Sequence, residues 1–215
     1  MTEAIDKIGV MNIPQLRRSF KEQMHQAREE AIVTAASRLM GKKGFEAMTV
    51  EDVACAVGIA KASLYKHFAG KDELCAAAMV QVVDRTGRFL RELPASLPPL
   101  ERLRALLRWL LELQLTDEMP LMLSRNSGLA GPLKACEAYQ AALRDLHGLV
   151  IGWIEQAQQA GQINPALPSD VVMCAIFARA ADPMLRLLRD RGTYSDAQIV
   201  DWAVDSCLSG LAARA

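Results

Sequence analysis

The spacing of apolar residues is the feature that most limits what this chain can fold into. Along most of its 215 residues, apolar side chains recur every three or four positions, as on one face of a helix. Good helix formers such as Ala, Leu, Arg and Glu are frequent. Sustained alternation is lacking, as are the Asn-Gly and Asp-Gly pairs that mark hairpins. The pattern predicts an all-α protein.

Turn and cap signals divide this pattern into about nine helices. Thr49 with Asp52, and Ser195 with Gln198, have the spacing of capping boxes, which open helices. The predicted helices span about 27–41, 50–58, 60–70, 71–91 and 100–116, a short one opened by Pro120, 131–161, one from Ser169 that is kinked or broken near Pro183, and one from Ser195 to about 211.

Composition gives no sign of a secreted or membrane protein. Lys and Arg together number 25, as do Asp and Glu, so the formal net charge is zero. No window approaches 18 uncharged apolar residues, and the N-terminal residues are charged where a signal peptide would be apolar. The five Cys show no C-x-x-C spacing, which favours buried reduced thiols over a redox sensor. We expect a cytoplasmic protein.

The sequence also lacks the patterns that catalysis commonly uses. It contains no nucleophile elbow, no glycine-rich phosphate loop and no metal-ligand cluster. The three histidines, His25, His67 and His147, are too scattered along the chain to indicate a site. We therefore predict a protein that is not an enzyme and that holds no metal or cofactor.

Residues 49–74, TVEDVACAVGIAKASLYKHFAGKDEL, combine two short amphipathic helices with a glycine-containing turn. This is the helix-turn-helix pattern. The second helix would pack Ile59, Leu64 and Phe68 inward and present polar side chains to a major groove about 12 Å wide. A solvated face of an ordinary helical bundle would give the same spacing, so the pattern alone leaves both interpretations open.

The polar side of this stretch supplies the predicted DNA contacts. Tyr65 carries a hydroxyl on a rigid ring, and the helices that begin at Thr49 and Lys71 offer N-terminal amides to phosphates. Residues 1–71 hold 11 basic and 8 acidic side chains, so this third of the chain is mildly basic. The predicted contact set is Thr49, Lys61, Ala62, Ser63, Tyr65, Lys66, His67 and Lys71.

Together with the preceding REEAIVTAASRLMGKKGFEAM, this stretch resembles the DNA-binding region of the TetR family of bacterial transcriptional regulators. The resemblance runs from Ala27 to about Val80. It rests on the Ala-rich first helix, Gly44-Phe45, Thr49, Val53-Ala54, Gly58, Leu64-Tyr65-x-His67-Phe68 and Lys71-x-x-Leu74. Ala60 and Gly70 stand where the family usually has Ser, so two helices lack their usual side-chain cap.

The resemblance implies an all-helical homodimer that binds a palindromic operator, usually as a repressor, and has a ligand pocket in its C-terminal domain. We expect a small, mostly apolar effector to release the operator. The resemblance divides the chain into a flexible arm (1–26), a helix-turn-helix domain (27–72) and a ligand-binding and dimerisation domain (73–215). A ligand-independent architectural DNA-binding protein and a transcriptional activator of the same fold remain alternatives.

Small residues at helical spacing mark a candidate dimer seam near the C-terminus. Such residues let helices approach closely, as a four-helix seam requires. Packing inside one subunit would use the same stripes, and the resemblance favours the seam. The candidates are Val171, Cys174, Ala175 and Ala178 in one helix and Ile199, Ala203, Ser206 and Gly210 in the last.

The predicted effector pocket is apolar and rich in Met. Its candidates are Trp109, Met119, Met122, His147, Trp153, Phe177, Arg179 and Met184, each of which could instead be structural. Arg179 lies on an apolar stretch, where a buried guanidinium needs an anionic partner. That partner is either Asp182 or a carboxylate of the ligand.

Overall fold

The computed structural model describes residues 20–118, 128–182 and 184–213. Within these ranges the regular elements are helices, and one isolated bridge pairs Ile163 with Ala212. The helices are α1 (Phe20–Ala47), α2 (Val50–Val57), α3 (Lys61–Leu64), α4 (Lys71–Glu92), α5 (Pro99–Leu115), α6 (Ala130–Ala135), α7 (Glu137–Gln159), α8 (Ser169–Ala180), α9 (Met184–Asp190) and α10 (Asp196–Leu211). The all-α prediction is confirmed.

The first three helices form a unit that packs around one end of the apolar core. The buried side chains that join them include Ile32, Ala36, Met40, Met48, Val53, Leu64 and Phe68. Helix α1 begins at Phe20, so residues 20–26, which the sequence assigned to a flexible arm, are helical. Residues 1–19 lie outside the described ranges. Gly44, rather than Gly41, interrupts α1, because it takes a non-helical conformation with φ of 79°.

Helix α4 joins this unit to the rest of the chain, because it packs against both α1 and α7. Beyond it, α5, α7, α8 and α10 pack against one another and continue the same apolar core. Its fully buried side chains include Leu103, Leu106, Leu107, Leu111, Ile154, Val172, Ile176 and Val204. No helix in the described ranges is both long enough and apolar enough to span a bilayer.

Two of the long helices expected from the sequence are divided. Cys136 has an extended backbone and separates α6 from α7, where a single helix over 131–161 was expected. The helix from Ser169 ends at Ala180, and α9 begins at Met184, in agreement with the predicted break. The short helix expected at Pro120 lies outside the described residues.

Arg186 fixes α9 to both parts of the molecule. Its guanidinium lies 2.7 Å from the carboxylate of Asp117, in the segment that follows α5. It also donates a hydrogen bond of 3.1 Å to the backbone carbonyl of Gly41 in α1. Gly41 sits so close to this segment that a Cβ atom added to it would lie 2.4 Å from the carbonyl oxygen of Asp117. The junction therefore leaves no room for a side chain at position 41.

Candidate nucleic-acid interface and effector cavity

Helices α2 and α3 form a helix-turn-helix. Helix α2 ends at Gly58, which adopts the left-handed conformation (φ 74°, ψ 34°), and its N–H donates to the carbonyls of Ala54 and Cys55. A residue with a side chain would be strained at this position. Helix α3 follows after Ile59 and Ala60, and hydrogen bonds to the carbonyl of Leu64 continue the turn after it. As expected, α3 and α4 have no side-chain cap.

The capping box at the start of α2 is present. The Asp52 N–H donates to the Thr49 hydroxyl at 3.1 Å, and the Thr49 N–H donates to the Asp52 carboxylate at 3.0 Å. Asp52 also accepts a bond of 3.1 Å from Lys43. The hydrogen bonds from Thr49 and then Lys43 lower the pKa of Asp52. Because the Thr49 N–H is used internally, the hydroxyl is the group left to contact a phosphate.

Most of the predicted DNA contacts share one accessible surface. Lys61, Ala62, Tyr65 and Lys66 are exposed, and Ser63 is half-buried beside them. The ammonium of Lys61 pairs with the carboxylate of Glu51 on α2, and this hydrogen bond raises the pKa of Lys61 and lowers that of Glu51. We call Thr49, Lys61, Ala62, Ser63, Tyr65, Lys66 and Lys71 the recognition surface.

Lys71 is positioned by the end of α1. Its Nζ lies 4.3 Å from the centroid of the Phe45 ring and donates a bond of 3.2 Å to the carbonyl of Glu46. A cation over an aromatic face is attracted by the ring quadrupole. At the same helix start, the Glu73 carboxylate accepts a bond of 2.6 Å from the Ala69 N–H. The first turn of α4 is thereby fixed beside the recognition surface.

His67 departs from the prediction. Its side chain is only 6% exposed and faces α1, where its ring centroid lies 4.3 Å from that of His25. Burial, followed by the proximity of His25, lowers the pKa of His67. His67 therefore lies outside the accessible surface that the other predicted contacts share. Because the ring meets a residue 42 positions earlier in the sequence, local spacing could not reveal this contact.

An apolar cavity of about 250 Å³ lies between α4, α5, α7 and α8. Its lining residues are Met79, Val82, Val83, Thr86, Leu110, Tyr139, Leu143, Leu146, His147, Met173, Cys174 and Phe177. Burial raises the pKa of Tyr139, which keeps its phenol neutral. Thr86 donates its hydroxyl to the carbonyl of Val82 at 2.9 Å. The wall therefore suits an apolar molecule better than an ion.

Of the predicted ligand contacts, His147 and Phe177 line this cavity. Trp109 stacks on Phe89 at 4.3 Å instead, and Trp153 lies under the guanidinium of Arg102 at 5.5 Å. Met119, Met122 and the side chain of Met184 lie outside what the structure describes. The sequence interpretation missed the α4 wall, although the spacing of Met79, Val82, Val83 and Thr86 on one helix face could have indicated it.

Arg179 has a partner within the protein. Its guanidinium lies 2.9 Å from the Asp182 carboxylate and donates a bond of 2.8 Å to the Ser206 hydroxyl on α10. Of the two partners that the sequence left open, the structure favours Asp182. Arg179 lies outside the apolar cavity, in an open groove between α8 and α10. It is therefore removed from the effector contacts.

The residues predicted for the dimer seam differ in their burial. Ile199 and Ala203 are 1% and 3% exposed and belong to the core of the subunit, which corrects their assignment to a dimer seam. The other candidates are exposed or half-buried; they are Val171, Cys174, Ala175, Ala178, Ser206 and Gly210. Four of these line the groove between α8 and α10, namely Ala175, Ala178, Ser206 and Gly210. We call these four residues the small-residue groove.

Residues 32–78 match the sequence profile of the family described as bacterial regulatory proteins, tetR family. YvaF, an uncharacterized helix-turn-helix regulator of Bacillus subtilis, is 25% identical over 194 residues, which cover 86% of this chain and 96% of the relative. Residues 32–78 therefore form a DNA-binding domain of the TetR family. KstR2, a transcriptional repressor of Mycolicibacterium smegmatis, is 31% identical to this chain over 81 residues, 37% of this chain and 40% of the relative.

Solved structures of TetR-family regulators share the fold. A regulator from Marinobacter aquaeolei has a TM-score of 0.66 at 21% identity, covering 90% of this chain and 100% of its own. FadR of Bacillus halodurans, described as a fatty acid degradation regulator, has a TM-score of 0.63 at 16% identity, covering 87% and 97%. KstR2 of Mycobacterium tuberculosis, described as a ketosteroid regulator, has a TM-score of 0.58 at 22% identity. The match covers 87% of this chain and 96% of KstR2. The protein is a DNA-binding transcriptional regulator with the TetR-family fold.

Proposed function

We propose that this regulator is a repressor that binds an inverted-repeat operator as a homodimer and releases it when a small apolar effector enters the cavity. The observation that carries the proposal is the course of α4. This helix begins at Lys71 on the recognition surface, and its residues Met79 to Thr86 form one wall of the cavity. At 1.5 Å per residue, Lys71 and Met79 are only about 12 Å apart along the helix.

The chemistry of the cavity supports an apolar effector. Its polar groups are few. One of them, the His147 imidazole, has Nε2 3.3 Å from the carboxylate of Asp170. The similar KstR2 and FadR are named for ketosteroids and fatty acid degradation, and FadR of Bacillus subtilis was solved with stearoyl-CoA. Drug-sized pockets usually span about 300–1,000 Å³, so a larger effector would have to widen this cavity.

Movement of α4 would transmit the effect. An effector changes DNA affinity only by its differential affinity for the two states. Insertion between α4 and α7 would tilt α4 and shift the recognition surface in each subunit of a dimer. The two α3 helices would then no longer match successive major grooves, although the contacts of Lys61 or Tyr65 within a subunit stay unchanged. A typical coupling of about 1–3 kcal/mol corresponds to roughly 5- to 150-fold weaker operator binding.

The proposed operator follows from dimer symmetry. Two recognition surfaces related by a two-fold axis read an inverted repeat, with half-sites about 34–36 Å apart or somewhat more if the dimer is splayed. Lys61, Lys66 and Lys71 would neutralise phosphates, so affinity should fall steeply with salt. The small-residue groove between α8 and α10 is the proposed seam, because neighbouring helices can approach it closely.

The proposed function is tested by titrating effector-like molecules against the operator complex. The operator is first selected from a random DNA pool, and linear alcohols of increasing length then serve as apolar probes. We expect cavity affinity to rise by up to about 0.8 kcal/mol per added CH₂ until the cavity is full. Operator affinity should fall in parallel, by roughly 5- to 150-fold at saturation.

The variant Phe177→Trp provides the matched test, because the larger ring fills the cavity. It should bind the alcohols at least about tenfold more weakly and still bind the operator with unchanged affinity. If alcohols bind the native protein in the cavity and operator affinity never changes, the protein is not an effector-controlled switch. The ligand-independent architectural alternative would then be favoured.

Glu51→Gln is expected to raise DNA affinity. The substitution removes a carboxylate from the recognition surface and releases Lys61, which Glu51 now holds. Because the pair is exposed to solvent, its effect is small, and we expect a gain of up to about fivefold. The plot of log affinity against log salt concentration should also become steeper, by up to about one released counterion. Fluorescence anisotropy with a labelled operator at several salt concentrations measures both effects.

Glu155→Gln is the control for this charge change, because Glu155 is exposed and lies on α7, outside the helix-turn-helix. It should leave operator affinity and salt dependence unchanged. A loss of affinity in Glu51→Gln would instead mean that the carboxylate holds Lys61 in its DNA-binding position.

A further inference from the structure

Two of the histidines meet between the first helix and the turn that follows α3. The ring centroids of His25 and His67 are 4.3 Å apart. Glu29 lies one turn after His25 on α1, on the same helix face. Its Oε2 is 3.6 Å from Nδ1 of His25 and 4.0 Å from Nδ1 of His67. One possible ligand atom from each of the three residues lies within 4.8 Å of the other two.

His67 has a buried nitrogen that the described residues do not satisfy. Only 6% of its side chain is exposed, and Nδ1 has no hydrogen-bond partner among the described residues. An unpaired polar atom in such a place costs free energy unless something else binds it. A metal ion would satisfy this atom, because an unprotonated imidazole nitrogen is a metal ligand.

We propose that His25, Glu29 and His67 form a binding site for a divalent first-row transition-metal ion, with Zn²⁺ as the reference ion. Two imidazoles and one carboxylate, with a fourth position open to water, are a known zinc donor set. Imidazole also suits Cu²⁺ and Ni²⁺, whereas Mg²⁺ and Ca²⁺ prefer sites made of oxygen ligands. This site goes beyond the regulator function proposed above and does not depend on it.

The three ligand atoms lie within 4.8 Å of one another, so each pair must approach by at most about 1.5 Å to hold a zinc ion. Ligands of a tetrahedral zinc ion, bound at about 2.0–2.2 Å, lie about 3.3–3.5 Å from one another. The two distances from Glu29, 3.6 and 4.0 Å, must therefore shorten by less than about 1 Å. The side chains of His25 and Glu29 are 58% and 46% exposed and free to rotate, whereas His67 is held by its burial.

The surroundings favour a cation. The site opens into a groove of about 1,100 Å³ between α1, α4 and α6. Besides Glu29, the groove is lined by the carboxylates Glu30, Asp72, Glu73 and Asp84, with Arg88 as the opposing charge. Such a concentration of one sign attracts counter-ions and gives a metal ion a path to the site. An ion bound here would tie α1 to the segment next to Tyr65 and Lys66.

The test uses the full-length, metal-free protein. Zn²⁺ is titrated by calorimetry, and Co²⁺ is added separately as a visible spectroscopic probe. We expect one ion per chain, d–d absorption typical of nitrogen and oxygen ligands, and no thiolate charge-transfer band. His25→Gln and His67→Gln should each weaken binding at least about tenfold, the effect seen for less direct changes around metal sites. Binding is read without DNA, so failure of the proposed operator function would not affect the result.

His147→Gln is the matched control, because His147 is the remaining histidine and lies on α7 beside Asp170. It should bind metal like the native chain. If His67→Gln fails to fold by circular dichroism, His25→Gln and Glu29→Gln decide the question, because both positions are at the surface. The proposal is overturned by absence of a saturable site, by unchanged binding in His25→Gln, or by a thiolate band that shows ligation by cysteine.

Discussion

The variant Gly210→Leu is expected to bind the inverted-repeat operator roughly 10²- to 10⁴-fold more weakly than the native protein. When one subunit of a dimer binds its half-site, the other subunit is held at a high effective concentration near the second half-site. A monomer loses this gain. Gly210 lies in the small-residue groove, and the added side chain would appear on both sides of a two-fold seam. Sizing combined with light scattering should show a monomer.

This substitution separates the seam from the subunit core. A Cβ added at Gly210 meets no atom within 4 Å, so the monomer can accept a side chain there. The same holds for Gly148 on α7, and Gly148→Leu is therefore the matched control, expected to stay dimeric. Ala203→Trp would not be informative, because Ala203 is buried in the core. A dimeric Gly210→Leu with full operator affinity would place the seam elsewhere.

Gly41→Ala is expected to lower the free energy of unfolding by about 1–3 kcal/mol, as overpacking does. A loss of stability is the opposite of the usual effect, because alanine in a helix is ordinarily about 1 kcal/mol more favourable than glycine. Here the new methyl group would lie 2.4 Å from the backbone carbonyl oxygen of Asp117. The backbone must move, and the contacts of Arg186 with Gly41 and Asp117 would be disturbed with it.

Gly148→Ala is the control for this effect of helix propensity. Gly148 is exposed on α7, and an added Cβ meets nothing within 4 Å. It should therefore stabilise the protein by up to about 1 kcal/mol. Urea unfolding at one fixed protein concentration compares the variants, because the proposed dimerisation would make stability concentration-dependent. A Gly41→Ala variant as stable as Gly148→Ala would show that the junction between α1 and Asp117 is loosely packed.

Local signals in the sequence predicted much of the fold. The capping boxes at Thr49 and Ser195 are both present, and α2, α4, α5 and α10 begin or end within a few residues of the predicted positions. These features depend on residues three or four apart, so their causes are visible in the sequence. The recognition surface was predictable for the same reason, because α3 and its neighbours form one continuous stretch.

Features that depend on tertiary packing could not be predicted in this way. The inward position of His67 depends on α1, and the burial of Ile199 and Ala203 depends on which side of α10 faces α5. A stripe of small residues has the same spacing in a core as in a dimer seam. The cavity likewise combines side chains from four helices. Helical periodicity therefore indicated which positions share a helix face, but it did not identify what each face packs against.

The central claim is that this protein recognises a specific inverted repeat through its recognition surface. The most direct measurement compares its affinity for the selected operator with its affinity for a duplex of scrambled sequence and equal length, at one physiological salt concentration. Specific sites are typically bound about 10³- to 10⁷-fold more tightly than non-specific DNA. We predict a ratio of at least about 10³, which Tyr65→Ala and Lys66→Ala reduce. Equal affinity for both duplexes, unaffected by these substitutions, would contradict the account.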